Sequence, residues 1–344
     1  LLFIHCVFLI FEPSIMKPSR IRYGYACILA LSRCKSVLSL SRSASVAAKE
    51  SPPSPSANAL LNAKKFPRTW VPVASTFELD PDRPTPVSFL GQRFACYRDN
   101  SGAWVALDDA CPHRLAPLSE GRIDRSADTL QCSYHGWSFD SGGTCVGIPQ
   151  MTPEKEERAR ASRRACATSY PVLVEKNVLW IWPWEEDVLS AAGDPLAHPE
   201  GIMAGLPDDP STYTRDLPYG WDTLLENLLD PSHVPFAHHG MQGKRTDAVP
   251  INMTRPVHRG SDGERGFSFS MDDRTMGMMR KTQAEFRAPF LINYDGTFQT
   301  ETARPFRLAT LCIPTRPGWS RGIILTGGNP DDDQKPTKKN KKNK

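Results

Sequence analysis

Several absences narrow what this 344-residue chain can be. It has no internal repeat, which excludes solenoids and propellers. Its nine cysteines show no disulfide-framework spacing, so a small fold stapled by bridges is excluded. Buried thiols are instead expected at Cys96, Cys145, Cys166 and Cys312. Charge of one sign is also scarce. The net charge of +4 is modest and collects at the ends, with Lys338, Lys339, Lys341, Lys342 and Lys344 in the tail. No nucleic-acid surface is implied. The apolar stretch 1–11 is too short to span a bilayer. Acidic residues are missing from 16–49, where Lys17, Arg20, Arg22, Arg33, Lys35 and Arg42 are interleaved with serines. That composition matches a transit peptide, and the apolar core at 25–31 adds a signal-like segment. Residues 51–58, with three prolines, read as a linker.

What is present is more telling. Cys111-Pro112-His113 and Cys132-Ser133-Tyr134-His135 each offer one thiol and one imidazole, 18 residues apart. A Rieske [2Fe–2S] centre needs two Cys on one iron and two His on the other, drawn from two loops. Zinc accepts the same side chains, but zinc fingers pair Cys with Cys and His with His. The mixed halves favour the iron–sulfur reading. Trp137 and Phe139 can wall such a cluster from solvent. Asp140-Ser141-Gly142-Gly143 supplies turn residues between strands, and Gly147-Ile148-Pro149 a stiff loop nearby.

A second constellation lies at 224–239, which contains D-x-x-H-x-x-x-x-H. Non-haem Fe(II) oxygenases hold iron with two His and a carboxylate, leaving positions open for O2. Residues 221–229 have helical apolar spacing that Pro231 ends or kinks. His233 and His238 are five apart, which an unbroken helix would turn onto different faces. Pro235 is expected to push Val234 out of the α region and so let both imidazoles converge. The competing reading is a helix end decorated with surface histidines.

The run CPHRLAPLSEGRI…LQCSYHGWSFDSGGTCVGIPQ, together with ENLLDPSHVPFAHHG, resembles the pheophorbide a oxygenase family of plant and algal Rieske-type non-haem iron oxygenases. Its relatives include components of the chloroplast inner-envelope translocon. The resemblance covers roughly residues 66–328. It implies that Cys111, His113, Cys132 and His135 hold a [2Fe–2S] cluster, and that His233 and His238 bind a mononuclear non-haem Fe(II). Asp230 would bridge electron transfer from a neighbouring subunit's cluster in a homotrimer, with Asn227 lining the site. Further implications are monooxygenation of a chlorophyll-derived macrocycle with O2 and reduced ferredoxin, in chlorophyll catabolism, and a chloroplast location with membrane association. Beside high-potential Rieske proteins, the donor positions here look like Ala116, Tyr134 and Trp137, which predicts a potential toward about −150 mV. In the family a third iron ligand, an Asp, lies well downstream of Cys312-Ile313-Pro314. Here the sequence ends soon after Gly328 in a Lys/Asn tail that resembles nothing in the family, so a truncated gene model or readthrough terminus is expected. Asp331, Asp332 and Asp333 read as a solvated run rather than substitute ligands.

The expected fold class is α+β. An all-β Rieske domain at 66–189 is followed by a linker at 190–210 and a C-terminally incomplete helix-grip catalytic domain at 211–328. Residues 1–65 and 329–344 are expected to be disordered. Strands are expected at 66–75, 87–97, 103–107 and 178–184, whose tryptophans should wall a sandwich core. Further strands at 266–271, 284–294, 297–302, 308–313 and 322–326 suggest an antiparallel sheet curling over the iron helix around an apolar pocket. Met276, Met278 and Met279 line that pocket or pack in the core. The 124–129 stretch reads as a surface insertion, and His198 as solvated. Two rival functions remain open: a redox component of the translocon, and a cluster-only electron carrier.

Overall fold

The computed structural model describes residues 66–184, 198–241, 243–259, 265–300 and 304–326. The targeting region, the tail, the end of the expected Rieske domain at 185–189 and the stretch 190–197 of the expected linker lie outside the described residues.

Eleven short strands come first. They are β1 (Val71–Ser75), β2 (Thr85–Phe89), β3 (Gln92–Arg98), β4 (Trp104–Asp108), β5 (Arg122–Asp124), β6 (Thr129–Gln131), β7 (Ser138–Phe139), β8 (Cys145–Gly147), β9 (Ser169–Tyr170), β10 (Val172–Glu175) and β11 (Val178–Ile181). They form three antiparallel sheets, ordered β1-β11-β10, β2-β3-β4-β9 and β5-β6-β7-β8. Tight turns make this possible. Leu90 and Gly91 both take positive φ (48° and 86°), as the two-residue turn joining β2 to β3 requires. Between β7 and β8, Gly143 sits at φ 81°, and a Cβ there would lie 2.1 Å from the Ala167 carbonyl oxygen. The exposed helix α1 (Pro153–Arg160) buries nothing, in line with the charged connection expected there.

After α2 (Pro199–Ile202) comes one eight-stranded antiparallel sheet. Its strands are β12 (Ser211–Leu217), β13 (Asn252–Met253), β14 (Val257–His258), β15 (Gly266–Thr275), β16 (Met278–Arg287), β17 (Leu291–Phe298), β18 (Arg304–Arg316) and β19 (Trp319–Thr326). The order is β12-β19-β18-β17-β16-β15-β13, with β14 also paired to β15. Helices α3 (Trp221–Leu229) and α4 (Val234–Ala237) follow β12, and α3 packs across β17, β18 and β19. Phe269, Met271, Ala284 and Tyr294 share the face on which Leu229 of α3 packs.

The small sheets and the large one share a core. Trp70, Phe89, Trp180, Ile181 and Trp182 pack in one cluster with Leu291, Leu311, Ile313, Ile323 and Leu325. The Leu90 and Gly91 amides donate to the Pro314 and Thr315 carbonyls at 2.9 and 2.7 Å, joining the β2–β3 turn to the large sheet.

Three expectations need correction. The strand expected at 284–294 is two strands, because Ala288-Pro289 turns the chain and Phe290 plunges into the shared core. In the described part of the expected linker, Ile202, Met203 and Leu206 are buried in that same core, which their apolar side chains favour. Met276 and Met279 are exposed at the β15–β16 hairpin and line neither a pocket nor a core. A cavity of about 480 Å³ does open against the sheet, but it is lined by Glu285, Arg287, Asn293, Asp295 and Arg307. Those side chains alternate with Ala284 and Tyr294, so the cavity lies on the face away from α3, and it is polar.

Leu311 is fully buried in the shared core. Leu311→Ala should cost about 2–5 kcal/mol. Tryptophan fluorescence and far-ultraviolet circular dichroism should report one common, lowered urea midpoint, and two separated transitions would contradict a shared core.

Candidate functional site: two cysteine–histidine loops and a histidine pair

The two mixed motifs fold into loops with the same backbone closure. In the first, the Cys111 amide donates to the Ala116 carbonyl (2.8 Å) and the Leu115 amide to the Cys111 carbonyl (2.7 Å). In the second, the Cys132 amide donates to the Trp137 carbonyl (2.8 Å) and the Gly136 amide to the Cys132 carbonyl (3.0 Å). Each closure needs a residue of positive φ four places after the cysteine, Leu115 at 57° and Gly136 at 73°. Glycine takes that conformation freely; leucine does so at a cost of about 1–2 kcal/mol. Pro149 rests against Gly136, where a Cβ would come within 3.2 Å of its ring, so the expected stiff loop does back the second motif.

The result is a site with an inner and an outer end. Both thiols are buried, Cys111 at 2% and Cys132 at 3% exposure. Burial pushes the Cys111 thiol up to about 11, opposed by the backbone amides of His113 and Arg114, and raised further by its neighbour Cys132. Both imidazoles lie at the outer end, with ring centroids 4.6 Å apart. His113 stacks on Trp137 at 4.8 Å and 7° between planes, as the walling role expected of Trp137 requires. Phe139 instead lies fully buried in the core below. His113 is held below its ordinary range by desolvation first, then by the positive charge of His135 and Arg114. Exposed Leu115 and Tyr134 frame this outer edge.

Asp109 was missed by the sequence reading. Its buried carboxylate accepts from the Ser119 amide (2.7 Å) and hydroxyl (2.9 Å) and pairs with Arg93 (2.5 Å). It thereby cinches both ends of the first loop. The only sequence signal was an Asp two places before the motif cysteine.

The second constellation is also brought together, though not as expected. Helix α3 ends at Leu229, and Asp230 caps it in extended conformation. The Asp230 carboxylate accepts from the Ser232 amide at 2.8 Å and from the Ser232 hydroxyl. Burial opposes ionisation of Asp230, but those two bonds and the His233 charge outweigh it, so its carboxyl is held below the usual range. Val234 is helical, contrary to expectation. Pro235 sits in the first turn of α4, where its missing N–H costs nothing, and the bend falls at 230–233 instead.

His233 Nδ1 donates to the Asp230 carbonyl, which leaves Nε2 bare. That Nε2 lies 3.1 Å from His238 Nε2, and His238 is 1% exposed. Two nitrogens this close fit neighbouring positions around one cation at the usual ligand distance of about 2.1 Å. Asp230 Oδ2 lies 3.6 Å from His233 Nδ1, away from the Nε2 atoms, so it is no third ligand. Asn227 occupies the same last turn of α3, and its carbonyl accepts from the Asp230 amide at 3.4 Å. Among the described residues, no three His, Cys, Asp or Glu side chains gather around one ion. A binuclear cluster asks for only two protein donors per iron, which the pairs Cys111/Cys132 and His113/His135 could supply.

Residues 69–171 match the family described as the Rieske [2Fe-2S] domain. Pheophorbide a oxygenase, chloroplastic, from Oryza sativa subsp. japonica is 40% identical over 76% of this chain and 49% of its own length. The protein of that name from Arabidopsis thaliana is 38% identical over 76% and 48%. Protein TIC 55, chloroplastic, from Arabidopsis thaliana is 32% identical over 75% and 46%. The chain thus spans about half the length of the curated relatives it matches. Its fold is similar to that of dicamba monooxygenase bound to 3,6 dichlorosalicylic acid, with TM-score 0.59 and 21% identity over 77% of this chain and 80% of that one. It is similar also to Pseudomonas putida CBB5 NdmB, with TM-score 0.56 and 24% identity over 80% and 78%. Residues 69–171 thus carry a Rieske [2Fe-2S] domain, and the α+β fold is that of the solved neighbours. Over a longer stretch the chain is similar to chloroplastic relatives that include pheophorbide a oxygenase.

Asp109→Ala would leave the Ser119 amide buried without a partner, a loss of about 1–3 kcal/mol. Visible absorbance of the bound cluster should decay faster in this variant under chelator challenge, while Asp124→Ala, at an exposed turn, should decay like the wild type.

Proposed function

We propose that this chain carries the redox domain and part of the catalytic domain of a Rieske-type monooxygenase acting on a chlorophyll-derived macrocycle. The observation that carries the reading is the presence of two donor sets in one chain: the paired Cys–His loops, and two histidine Nε2 atoms 3.1 Å apart. A pure electron carrier has no use for the second set.

Cys111 and Cys132 would hold one iron of the [2Fe–2S] cluster, and His113 and His135 the other. His233 and His238 would hold a mononuclear Fe(II), and a third, carboxylate ligand completes such sites. When bound, the cluster supplies single electrons and the mononuclear iron activates O2. The protein's own residues do the rest. The buried thiol end keeps water from the sulfurs, and the imidazole end faces outward, where reduced ferredoxin would dock against His113, Leu115 and Tyr134. Through its carbonyl Asp230 fixes the His233 tautomer, and its ionised carboxylate stands beside that ring. There it can accept a hydrogen bond from a histidine of a neighbouring subunit in a homotrimer. The plastid is the setting, as for the relatives named chloroplastic. The relatives named as translocon components favour a second reading, a redox role with little turnover.

Metal analysis tests the first reading. The intact full-length protein should hold about three irons and two acid-labile sulfides per chain. His233→Ala should lose one iron and keep the visible spectrum, and Cys132→Ser should lose that spectrum. Two irons in the wild type would favour a carrier. Absence of oxygenated product from pheophorbide a with reduced ferredoxin and O2 would favour the translocon role.

A further inference from the structure

We infer that Tyr294 is a positioning residue for the His233–His238 pair; this rests on the reading that those histidines hold a metal. Tyr294 lies on β17, on the sheet face that α3 covers. Its hydroxyl donates to the Leu228 carbonyl. The last carbonyls of a helix have no partner within the helix, so this bond fills a vacancy that packing alone cannot. A buried phenol needs such a partner too, and burial pushes the Tyr294 hydroxyl well above its ordinary range, keeping it a donor.

The bond sits two residues from the metal-site turn. After Leu228 come Leu229, which packs on the cluster of Phe269, Met271 and Ala284 that Tyr294 also joins, and Asp230. The Asp230 carbonyl takes the His233 Nδ1 proton, and this sets which nitrogen faces His238. Sheet, helix end, carbonyl and imidazole therefore form one connected series. A phenylalanine at 294 would keep the packing and lose only the hydroxyl, so the end of α3 could shift or fray, carrying the Asp230 carbonyl with it. Partners behind metal-binding histidines commonly change metal affinity by about 10–100-fold when removed.

The test uses the full-length protein with its cluster intact and oxidised, and Co(II) as the probe of the histidine pair. Tyr294→Phe should weaken Co(II) about tenfold and change its paramagnetic resonance line shape, with the cluster's visible spectrum unchanged. Leu311→Ala, which loosens the shared core and not the cluster under Leu229, should leave Co(II) affinity and line shape as in the wild type. Wild-type affinity and line shape in Tyr294→Phe would overturn the inference, and so would equal weakening in Leu311→Ala. A wild type that binds Co(II) leaves the metal-site reading standing in either case. One that binds none overturns both.

Discussion

The structure turns on how a loop of six residues can be made stiff enough to present a thiol inward and an imidazole outward. Two backbone bonds and one left-handed residue close each loop, at Leu115 in the first and Gly136 in the second. The second is stiffened from outside by Pro149, and the first by the Asp109–Ser119 bonds across its base. The first loop also carries the strain, because a leucine occupies the position its counterpart gives to glycine. Everything outward of these closures follows. The thiols lie next to the small-sheet core, and the imidazoles fall to the rim against Trp137.

The second donor pair is built by different means. Here no tight loop acts; a helix stops, a capping Asp turns the chain with help from Ser232, and a second short helix begins. Precision comes from the sheet beneath. Leu229 and the Leu228 carbonyl are held from below by the side chains of β15, β16 and β17. The helix end behind the pair therefore depends on a residue 66 places beyond Leu228.

Much of this was legible in the sequence, and the limits have physical reasons. Helix 221–229 is a local signal and forms as read, and the Cys–His spacing is local too, its two loops folding with both thiols buried. The turn at Gly143 and the hairpin strands around it are local too. Failures came where tertiary context decides. Pro235 disfavours helix in its predecessor on average, but the first turn of a helix forgives a missing N–H. The run 284–294 hides a reversal that Pro289 marks locally and the buried place of Phe290 completes. Asp109 offers only its place two residues before Cys111 and Tyr294 offers no spacing signal, since their partners are set by three-dimensional proximity. Nor did the composition of 198–210 announce that its few apolar residues, Ile202, Met203 and Leu206, join the core.

The shared core has a consequence for any traffic between the two sites. Trp180 and Trp182 of the small sheets interlock with Leu311 and Ile323 of the large one, so swinging one half against the other would expose that contact to water at about 25 cal/mol for each Å². Among the described residues, the paired Cys–His loops and the histidine pair are carried on two sets of strands that this contact holds together, and parting them must first wet those side chains.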